Sequence, residues 1–275
     1  MKLIDIGVNL TGSAFKNDLA EVIARAQQAG VQHMLVTGTD VAHSEAAIAL
    51  CEQFAGLLTA TAGVHPHHAD DYTADSSERL AELLMHDCVV AVGECGLDYN
   101  RNFSSPKNQR DAFERQLQLA KQAGKPVFLH QRDAHEDFLA MMRDAMPELA
   151  GGVAHCFTGT PAQAESYLDI GLHIGVTGWI CDERRAQDLR QAVAVIPQER
   201  ILLETDAPYL LPRDLPEPLP ELPHYTPRDK RRNEPCYLPH VCRAVARHRA
   251  VEANALAQAA TANSRQLFGL PQSAP

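Results

Sequence analysis

The amino-acid sequence predicts an α/β protein built as a (β/α)8 TIM barrel. Eight short apolar runs alternate with segments of helical period along nearly the whole chain. The chain has 275 residues, and eight strands with their intervening helices occupy about 250 residues in this architecture. A doubly wound open sheet is the main alternative, because periodicity alone does not separate the two.

The eight apolar runs are rich in Val, Ile and Leu and show little polar alternation. This pattern is typical of parallel strands that are buried on both faces. The runs span residues 3–9, 33–37, 57–63, 89–94, 126–130, 152–155, 172–176 and 201–206. We therefore predict eight strands in this order.

Helical segments are predicted between these runs. The apolar residues of segment 18–28 follow the i, i+3, i+4, i+7 spacing of one helix face, with Asn17 or Asp18 as the N-cap and Gly30 as the stop. A similar pattern predicts helices around 113–120, 162–168 and 184–195, and terminal helices at 238–249 and 251–267.

A long proline-rich excursion breaks this rhythm between residues 212 and 235. It holds seven prolines and a basic run at 228–232. Connections of this length are uncommon, so we expect the excursion to be functional or mobile. No internal repeat or linker divides the sequence, which predicts a single barrel domain over residues 1–275.

Charge and cysteine content exclude some classes of protein. The chain carries 25 Lys and Arg against 35 Asp and Glu, a formal charge of −10, whereas a protein that binds nucleic acid by bulk charge should be basic. No apolar run approaches a membrane span, and the N-terminus shows no basic-then-apolar leader. Seven scattered cysteines without a CxxC pair indicate free thiols, and we expect a cytoplasmic protein.

Chemistry-bearing residues stand at the ends of the predicted strands, which is where a TIM barrel places its active site. A single strand-terminal histidine is more often structural. Carboxylates and imidazoles at the ends of several separate strands, however, converge on one rim and suit a divalent metal. The residues are Asp5 with Asn9, His65, Glu94, His130, His155 and Asp206.

Five stretches around these strand ends follow one another in a specific order. They are GVHPH at 63–67, GECGLD at 93–98, PVFLHQRDA at 126–134, AHCFTG at 154–159, and 196–208 with LLETDAP at its end. The sequence resembles the TatD family of metal-dependent deoxyribonucleases, which are amidohydrolase-like barrels. The similarity runs from residue 3 to about residue 268 and implies a metal-dependent nuclease.

One segment departs from that family, whose members usually open with an Asp-x-His-x-His strand. Here Gly7 and Asn9 replace the two histidines, although Asn9 can still contact a metal-bound water. This opening, with Asn-Glu-Pro at 233–235, resembles members of the family that are 3′-to-5′ exonucleases on single-stranded DNA and RNA and use Mg²⁺. Loss of two imidazoles should favour Mg²⁺ or Mn²⁺ over Zn²⁺. The sequence is compatible with either one or two bound ions.

We assign Glu94, His130 and His155 as metal ligands, with Glu94 as the bridge if two ions bind. Asp206 would bind the metal or act as the general base for the attacking water, which makes it catalytic together with Glu94. A divalent ion would neutralise the phosphodiester charge and lower the pKa of its water. His65 would contact the scissile phosphate or the metal water, and a capped loop histidine is the alternative.

Substrate binding must depend on local groups, because the whole chain is acidic. Arg132 lies two residues after His130, so in an extended segment it faces the same side and would hold a phosphate. A salt bridge to a neighbouring carboxylate is its alternative. The loop with Tyr99 and Arg101 supplies rings and a guanidinium that suit stacking on an unpaired base, and simple packing is the alternative for its rings. Trp179 is a second candidate stacking platform. The run 228–232 would be either a phosphate clamp or a solvated surface.

Two other functions stay open. A small-molecule hydrolase of the amidohydrolase type would place a carboxylated lysine on a strand, and no lysine ends a predicted strand here. A nucleic-acid-binding protein without catalysis is suggested by Gly7 and Asn9. We expect the ends of single-stranded DNA or RNA as the substrate, and a monomer that needs no membrane and no obligate protein partner.

Overall fold

The strands of the computed structural model, which describes residues 1–227 and 229–271, form one parallel sheet in chain order. They are β1 (Leu3–Val8), β2 (Val31–Val36), β3 (Leu58–Ala62), β4 (Val89–Asp98), β5 (Val127–Arg132), β6 (Gly152–Ala154), β7 (His173–Val176) and β8 (Ile201–Leu203). Each predicted run overlaps one of these strands. The largest difference is in β4, which continues four residues beyond the predicted end at Glu94.

The last strand returns to the first and closes the barrel. Val8 and Ala207 form a parallel bridge. The amide of Asn9 donates to the Ala207 carbonyl at 2.8 Å, and the amide of Asp206 donates to the Gly7 carbonyl at 2.9 Å. In a doubly wound sheet the strand order reverses at a switch point, whereas here each strand pairs with its neighbours in sequence. The predicted TIM barrel is confirmed.

The helices connect and cover the strands. They are α1 (Leu19–Gln28), α2 (Val41–Gln53), α3 (Ala74–Leu83), α4 (Pro106–Ala123), α5 (His135–Ala145), α6 (Pro161–Asp169), α7 (Gln187–Val195), α8 (Leu238–Arg249) and α9 (Ala253–Phe268). The predicted segments all fall within these helices or at their ends. None of the helices in the described ranges is long and apolar enough to cross a membrane.

Apolar side chains fill the barrel below its polar end. Two of them stand two residues before predicted ligands: Phe128 before His130, and Val153 before His155. Since side chains alternate along a strand, the same inward face carries the apolar layer and then the polar one. The cluster comprises Ile4, Ile6, Leu35, Ala91, Phe128, Val153, Leu202, Phe268 and Leu270.

Ion pairs anchor the proline-rich excursion to the barrel. One nitrogen of Arg232 lies 2.7 Å from carboxylate oxygens of both Asp18 and Glu234, and Arg25 binds Glu234 at 2.8 Å. Asp18 stands directly before α1 as predicted, but its carboxylate serves these arginines and does not cap the helix. In the basic run, Arg228 lies outside the described residues, and Arg232 is committed to this network.

Two buried glutamines on α4 hold backbone segments that carry site residues. The Gln116 side chain accepts a hydrogen bond from the amide of Val64 at 2.7 Å and donates to its carbonyl at 2.9 Å. Gln109 makes the same pair of bonds with the backbone of Asp98, at 2.8 and 2.9 Å. Seven residues are about two helical turns, so both glutamines share one face of α4. This face positions the chain just before His65 and the end of β4.

We predict that Gln116→Met lowers the free energy of unfolding by about 2 to 4 kcal/mol, because it leaves the buried amide and carbonyl of Val64 without partners. Met and Gln have similar helix propensities, so the helix itself is unaffected. Urea denaturation measures the change. Gln118→Met, on the exposed face of the same helix, is the control. Equal stability of the two variants would contradict the role given to Gln116.

Candidate metal centre

The polar residues at the strand ends surround one cavity of about 1510 Å³ at the C-terminal end of the barrel. Nine of the residues predicted for the site line it, namely Asn9, His65, Glu94, Tyr99, Arg101, His130, Arg132, His155 and Asp206. Asp5, also expected at this rim, does not line it, because its buried carboxylate accepts hydrogen bonds from the amide and hydroxyl of Thr205. The fold therefore brings together groups that lie nearly 200 residues apart in the sequence.

The carboxylate of Glu94 is the centre of the cluster. Its Oε1 lies 2.8 Å from His155 Nε2 and 2.9 Å from His130 Nδ1. His65 Nε2 lies 3.3 Å from the same oxygen. Three imidazoles from three different segments thus point at one carboxylate oxygen.

This donor set fits a divalent metal. Donor atoms of His65, Glu94 and His130 all lie within 4.8 Å of one another, and His155 contacts the same carboxylate. Imidazole nitrogen and carboxylate oxygen are ligands that divalent cations accept. His65 was expected to contact substrate, whereas its position also allows it to contact a metal directly.

Glu94 faces the interior because β4 is irregular at this point. The pairing of β4 with β5 shifts register between Val92 and Cys95, and such a bulge changes which side chains point inward. Cys95 packs in the outer hydrophobic core. Beyond the irregularity Gly96 has no room for a side chain, because a β-carbon would overlap the carbonyl oxygen of His130.

Two further carboxylates orient the histidines, and the sequence analysis assigned a role to neither. Glu204 is fully buried, and its Oε2 lies 3.1 Å from His155 Nδ1. Asp98 Oδ2 lies 3.3 Å from His130 Nε2. Partners of this kind fix ring orientation in metal sites. Their strand positions were a usable signal, since each lies an even number of residues from an assigned ligand.

His67, for which no role was predicted, also joins the cluster. Its Nε2 lies 2.8 Å from Asp98 Oδ2. The same carboxylate group accepts hydrogen bonds from the amides of Asn100 and Arg101, at 2.9 and 2.8 Å. Asp98 therefore ties the loop after β4 to the histidine cluster.

Asp206 follows β8 and is held by the opening strand. Asn9 Nδ2 donates a hydrogen bond to Asp206 Oδ1 at 3.0 Å. Asn9 therefore contacts a predicted metal ligand directly. Asn233 Nδ2 donates to the carbonyls of Thr205 and Tyr209, at 2.8 and 2.6 Å. The Asn-Glu-Pro segment thus holds the backbone on both sides of Asp206.

The buried carboxylate of Glu204 takes up the space beside Gly7, where the usual family pattern has a histidine. A β-carbon on Gly7 would lie 2.4 Å from Glu204 Oε2, and one on Gly175 would lie 2.5 Å from Oε1. Glu204 therefore occupies the space where a side chain at position 7 would begin. In this chain the first strand contributes Asn9 to the site and no imidazole.

Burial and close contact set the charges of the cluster. Burial raises the pKa of Glu94, but the surrounding imidazoles outweigh it and hold this pKa well below its usual value. Burial lowers the pKa of His155, but the carboxylates of Glu94 and Glu204 hold it well above its usual value. These interactions favour the ionised form of Glu94 and the protonated form of His155. A divalent cation can replace that proton, because ligands bind metals in deprotonated form.

The pKa of Asp206 is shifted in the opposite direction from that of Glu94. Burial, opposed by His155 and aided by the charges of Glu94 and Glu204, raises the pKa of Asp206 to about 7. A carboxyl group that titrates near neutrality can exchange a proton during a reaction. This property distinguishes Asp206 from Glu94.

His65 is neutral at pH 7 because burial lowers its pKa to about 4. Its Nδ1 accepts a hydrogen bond from the amide of His67 at 3.0 Å. The ring proton of the neutral form is therefore on Nε2, the atom that faces Glu94. His65 caps the turn at Pro66–Asp71, so the capping alternative and a place in the cavity both apply.

The residues predicted for substrate binding differ in their exposure and in the interactions that their side chains already make. Arg132 and Arg101 are exposed, line the cavity and make no ion pair with any residue that the structure describes. The hydroxyl of Tyr99 donates to Asp137 at 2.7 Å, and its ring packs against the core. Phe103 is the exposed ring of this loop, at 64%.

Trp179, the second predicted stacking platform, has one face of its ring covered by Arg185. The guanidinium of Arg185 lies 4.2 Å from the ring centroid of Trp179, and both residues line the cavity. Phe103 packs edge-on against His67, with centroids 4.8 Å apart. The exposed ring of Phe103 and the half-buried ring of Trp179 both line the cavity.

Comparisons with known sequences give a consistent result. Residues 4–269 match the family described as TatD related DNase. The chain is 52% identical over 268 residues to the protein named 3′-5′ ssDNA/RNA exonuclease TatD of Edwardsiella piscicida, across 98% of this chain and 100% of that relative. A relative of the same name from Erwinia amylovora is 50% identical with the same coverage.

Solved structures agree with the sequence matches. The crystal structure of YJJV, a TatD homolog from Escherichia coli, has a TM-score of 0.86 at 31% identity and covers 98% of both chains. A TatD family hydrolase from Entamoeba histolytica has a TM-score of 0.85 at 26% identity, across 98% of this chain and 99% of the other. With the same fold, the same ordered motifs and matching length, this chain belongs to the family of TatD-related DNases.

Proposed function

We propose that the chain is a metal-dependent nuclease that removes nucleotides from the 3′ ends of single-stranded DNA and RNA. The observation that carries this proposal is the carboxylate oxygen of Glu94, which three imidazoles share within 3.3 Å at the base of a large open cavity. The relatives with this activity in their names match the chain over 98% of its length.

The residues that would hold the metal are Glu94, His130, His155 and Asp206. A bound divalent ion neutralises phosphate charge and lowers the pKa of a water molecule. We propose Mg²⁺, with Mn²⁺ as a substitute, because oxygen donors from Glu94 and Asp206 contribute to the set and the first strand supplies no imidazole. Glu94 would bridge if two ions bind.

The protein side chains would divide the remaining work. Asp206 would bind the metal or, as the general base, accept the proton of the attacking water. His65 would donate a hydrogen bond from Nε2 to an oxygen of the scissile phosphate. Asn9 would keep the Asp206 carboxylate in place through its 3.0 Å hydrogen bond.

Arg132 and Arg101 would hold the phosphates of the substrate strand. Both are exposed at the cavity wall, where their charge is available in a chain with a formal net charge of −10. Phe103 and Trp179 would stack on unpaired bases, with Tyr99 supporting the loop from below. Such a site suits a strand end better than a duplex, since stacking requires splayed bases.

The two competing functions have less support. A small-molecule hydrolase with a carboxylated lysine lacks its metal bridge, because no lysine is among the described residues that line the cavity. A binding protein without catalysis would not need the buried cluster around Glu94. We further propose that the protein acts as a monomer in the cytoplasm, where the seven free thiols would stay reduced.

We predict that Glu94→Gln lowers the nuclease rate by about 1000-fold, since it removes the charge on which the metal ligands converge and forfeits several kcal/mol. The assay follows strands labelled at the 3′ or the 5′ end, with Mg²⁺, Mn²⁺ or a chelator. The wild type should release 3′-terminal mononucleotides only with metal. Glu114→Gln, exposed on α4, is the control.

The same assay can refute the proposal. If metal-replete wild-type protein leaves both DNA and RNA oligonucleotides intact, the chain is not a nuclease. Release of labelled 5′ mononucleotides before any 3′ product would contradict the direction proposed for the exonuclease.

We predict that Arg132→Met raises KM for a single-stranded oligonucleotide by about 10-fold with little change in kcat, because one charged phosphate contact is lost. The salt dependence of KM should weaken together with it. Arg143→Met, an exposed arginine on α5, should leave KM unchanged. An unaltered KM in Arg132→Met would show that this arginine does not bind substrate.

A further inference from the structure

A second group of metal-ligand side chains lies apart from the catalytic cavity. Cys181 ends the short helix Gly178–Cys181 that follows β7, Asp214 lies in the proline-rich excursion, and His240 lies in the first turn of α8. One donor atom from each residue lies within 4.8 Å of the other two. Among the described residues that line the catalytic cavity, none of these three occurs.

We propose that Cys181, Asp214 and His240 form a second metal site, which takes a zinc-class cation with water as its fourth ligand. Sulfur, imidazole nitrogen and carboxylate oxygen together are a zinc donor set. A thiolate disfavours Mg²⁺. The chain would therefore carry two centres with different metal preferences, one for the reaction and one outside it.

The local packing supports a cation at this place. Cys181 and His240 are only 2% and 6% exposed, whereas the Asp214 side chain is 38% exposed and opens toward solvent. A water molecule can reach the group from this side. Three protein ligands that arrive from three segments of the chain, with water as the fourth, complete the four-coordinate geometry that zinc takes in proteins.

The metal-free arrangement shows what binding must change. His240 Nε2 lies 2.7 Å from Asp214 Oδ1, and Cys181 Sγ lies within 4.8 Å of the donor atoms of both residues. Around zinc the two donor atoms would separate to about 3.3 Å, which the loop position of Asp214 permits. The thiol proton would leave to solvent, and the imidazole proton would move from Nε2 to Nδ1.

A cation here would brace one wall of the substrate cavity. Trp179 lies two residues before Cys181, and Tyr209 lies five residues before Asp214; both line the cavity. The two segments already touch, because a β-carbon on Gly178 would lie 2.5 Å from the Leu210 carbonyl. The second site would therefore join these segments to α8 without touching the scissile phosphate.

The test is a Co²⁺ titration of the full-length, metal-stripped protein, followed by absorbance. Cobalt bound to a thiolate gives a charge-transfer band in the near ultraviolet, which the catalytic ligands do not produce. The band should appear in the wild type, disappear on addition of Zn²⁺, and be lost in Cys181→Ser. Cys242→Ser is the matched control, because this buried thiol on α8 donates to the Ala253 carbonyl instead.

Asp214→Asn provides a second variant, since its half-exposed side chain can be changed without disturbing the core. It should weaken Co²⁺ binding at the thiolate band by about 10-fold or more. Absence of the band in the wild type, or its persistence in Cys181→Ser, would overturn the proposal. The readout is spectroscopic, so these outcomes are independent of whether the protein cleaves nucleic acid.

Discussion

The structure depends on one buried carboxylate. Glu94 sits where three imidazoles meet, and an isolated charge in this position would be strongly unfavourable. Although burial lowers them, neighbouring carboxylates raise the pKa values of His155 and His130 and so favour their charged forms beside Glu94, and a bound divalent cation would compensate the same charge. Each histidine arrives from a different element, so this single requirement holds three segments at the mouth of the barrel in fixed relative positions.

The barrel separates stability from chemistry along the same strands. Alternation places Phe128 and Val153 in the apolar layer and His130 and His155 in the polar layer directly above them. The lower layer provides hydrophobic burial that does not depend on the metal. The upper layer can therefore hold groups that repel one another, because the hydrophobic burial of the packed lower layer offsets the unfavourable free energy of that repulsion.

The acidic character of the chain is compatible with a nucleic-acid substrate. Part of the formal charge of −10 belongs to the centre itself, where carboxylates surround the histidines. Bulk charge does not favour duplex DNA, so in the proposed function binding would come from the metal, from Arg132 and Arg101, and from stacking on aromatic rings. Such an arrangement would favour a free strand end, which can enter a cavity that the cluster closes at its base.

The sequence by itself determined the eight strands and the residue types at their ends, because apolar runs, helical periods of 3.6 residues and residue identity are local properties. The order of the strands in the sheet was decided by the tertiary structure, because periodicity alone also allowed a doubly wound sheet. The sequence did not determine the inward turn of Glu94, which follows from a register shift between β4 and β5. The sequence also did not indicate the roles of Asp98 and Glu204, and it predicted that the run with Arg232 would be a phosphate clamp or a solvated surface. Those assignments depend on partners far away in the chain, such as Arg232 with Asp18, and only the closed barrel brings such partners within hydrogen-bonding distance.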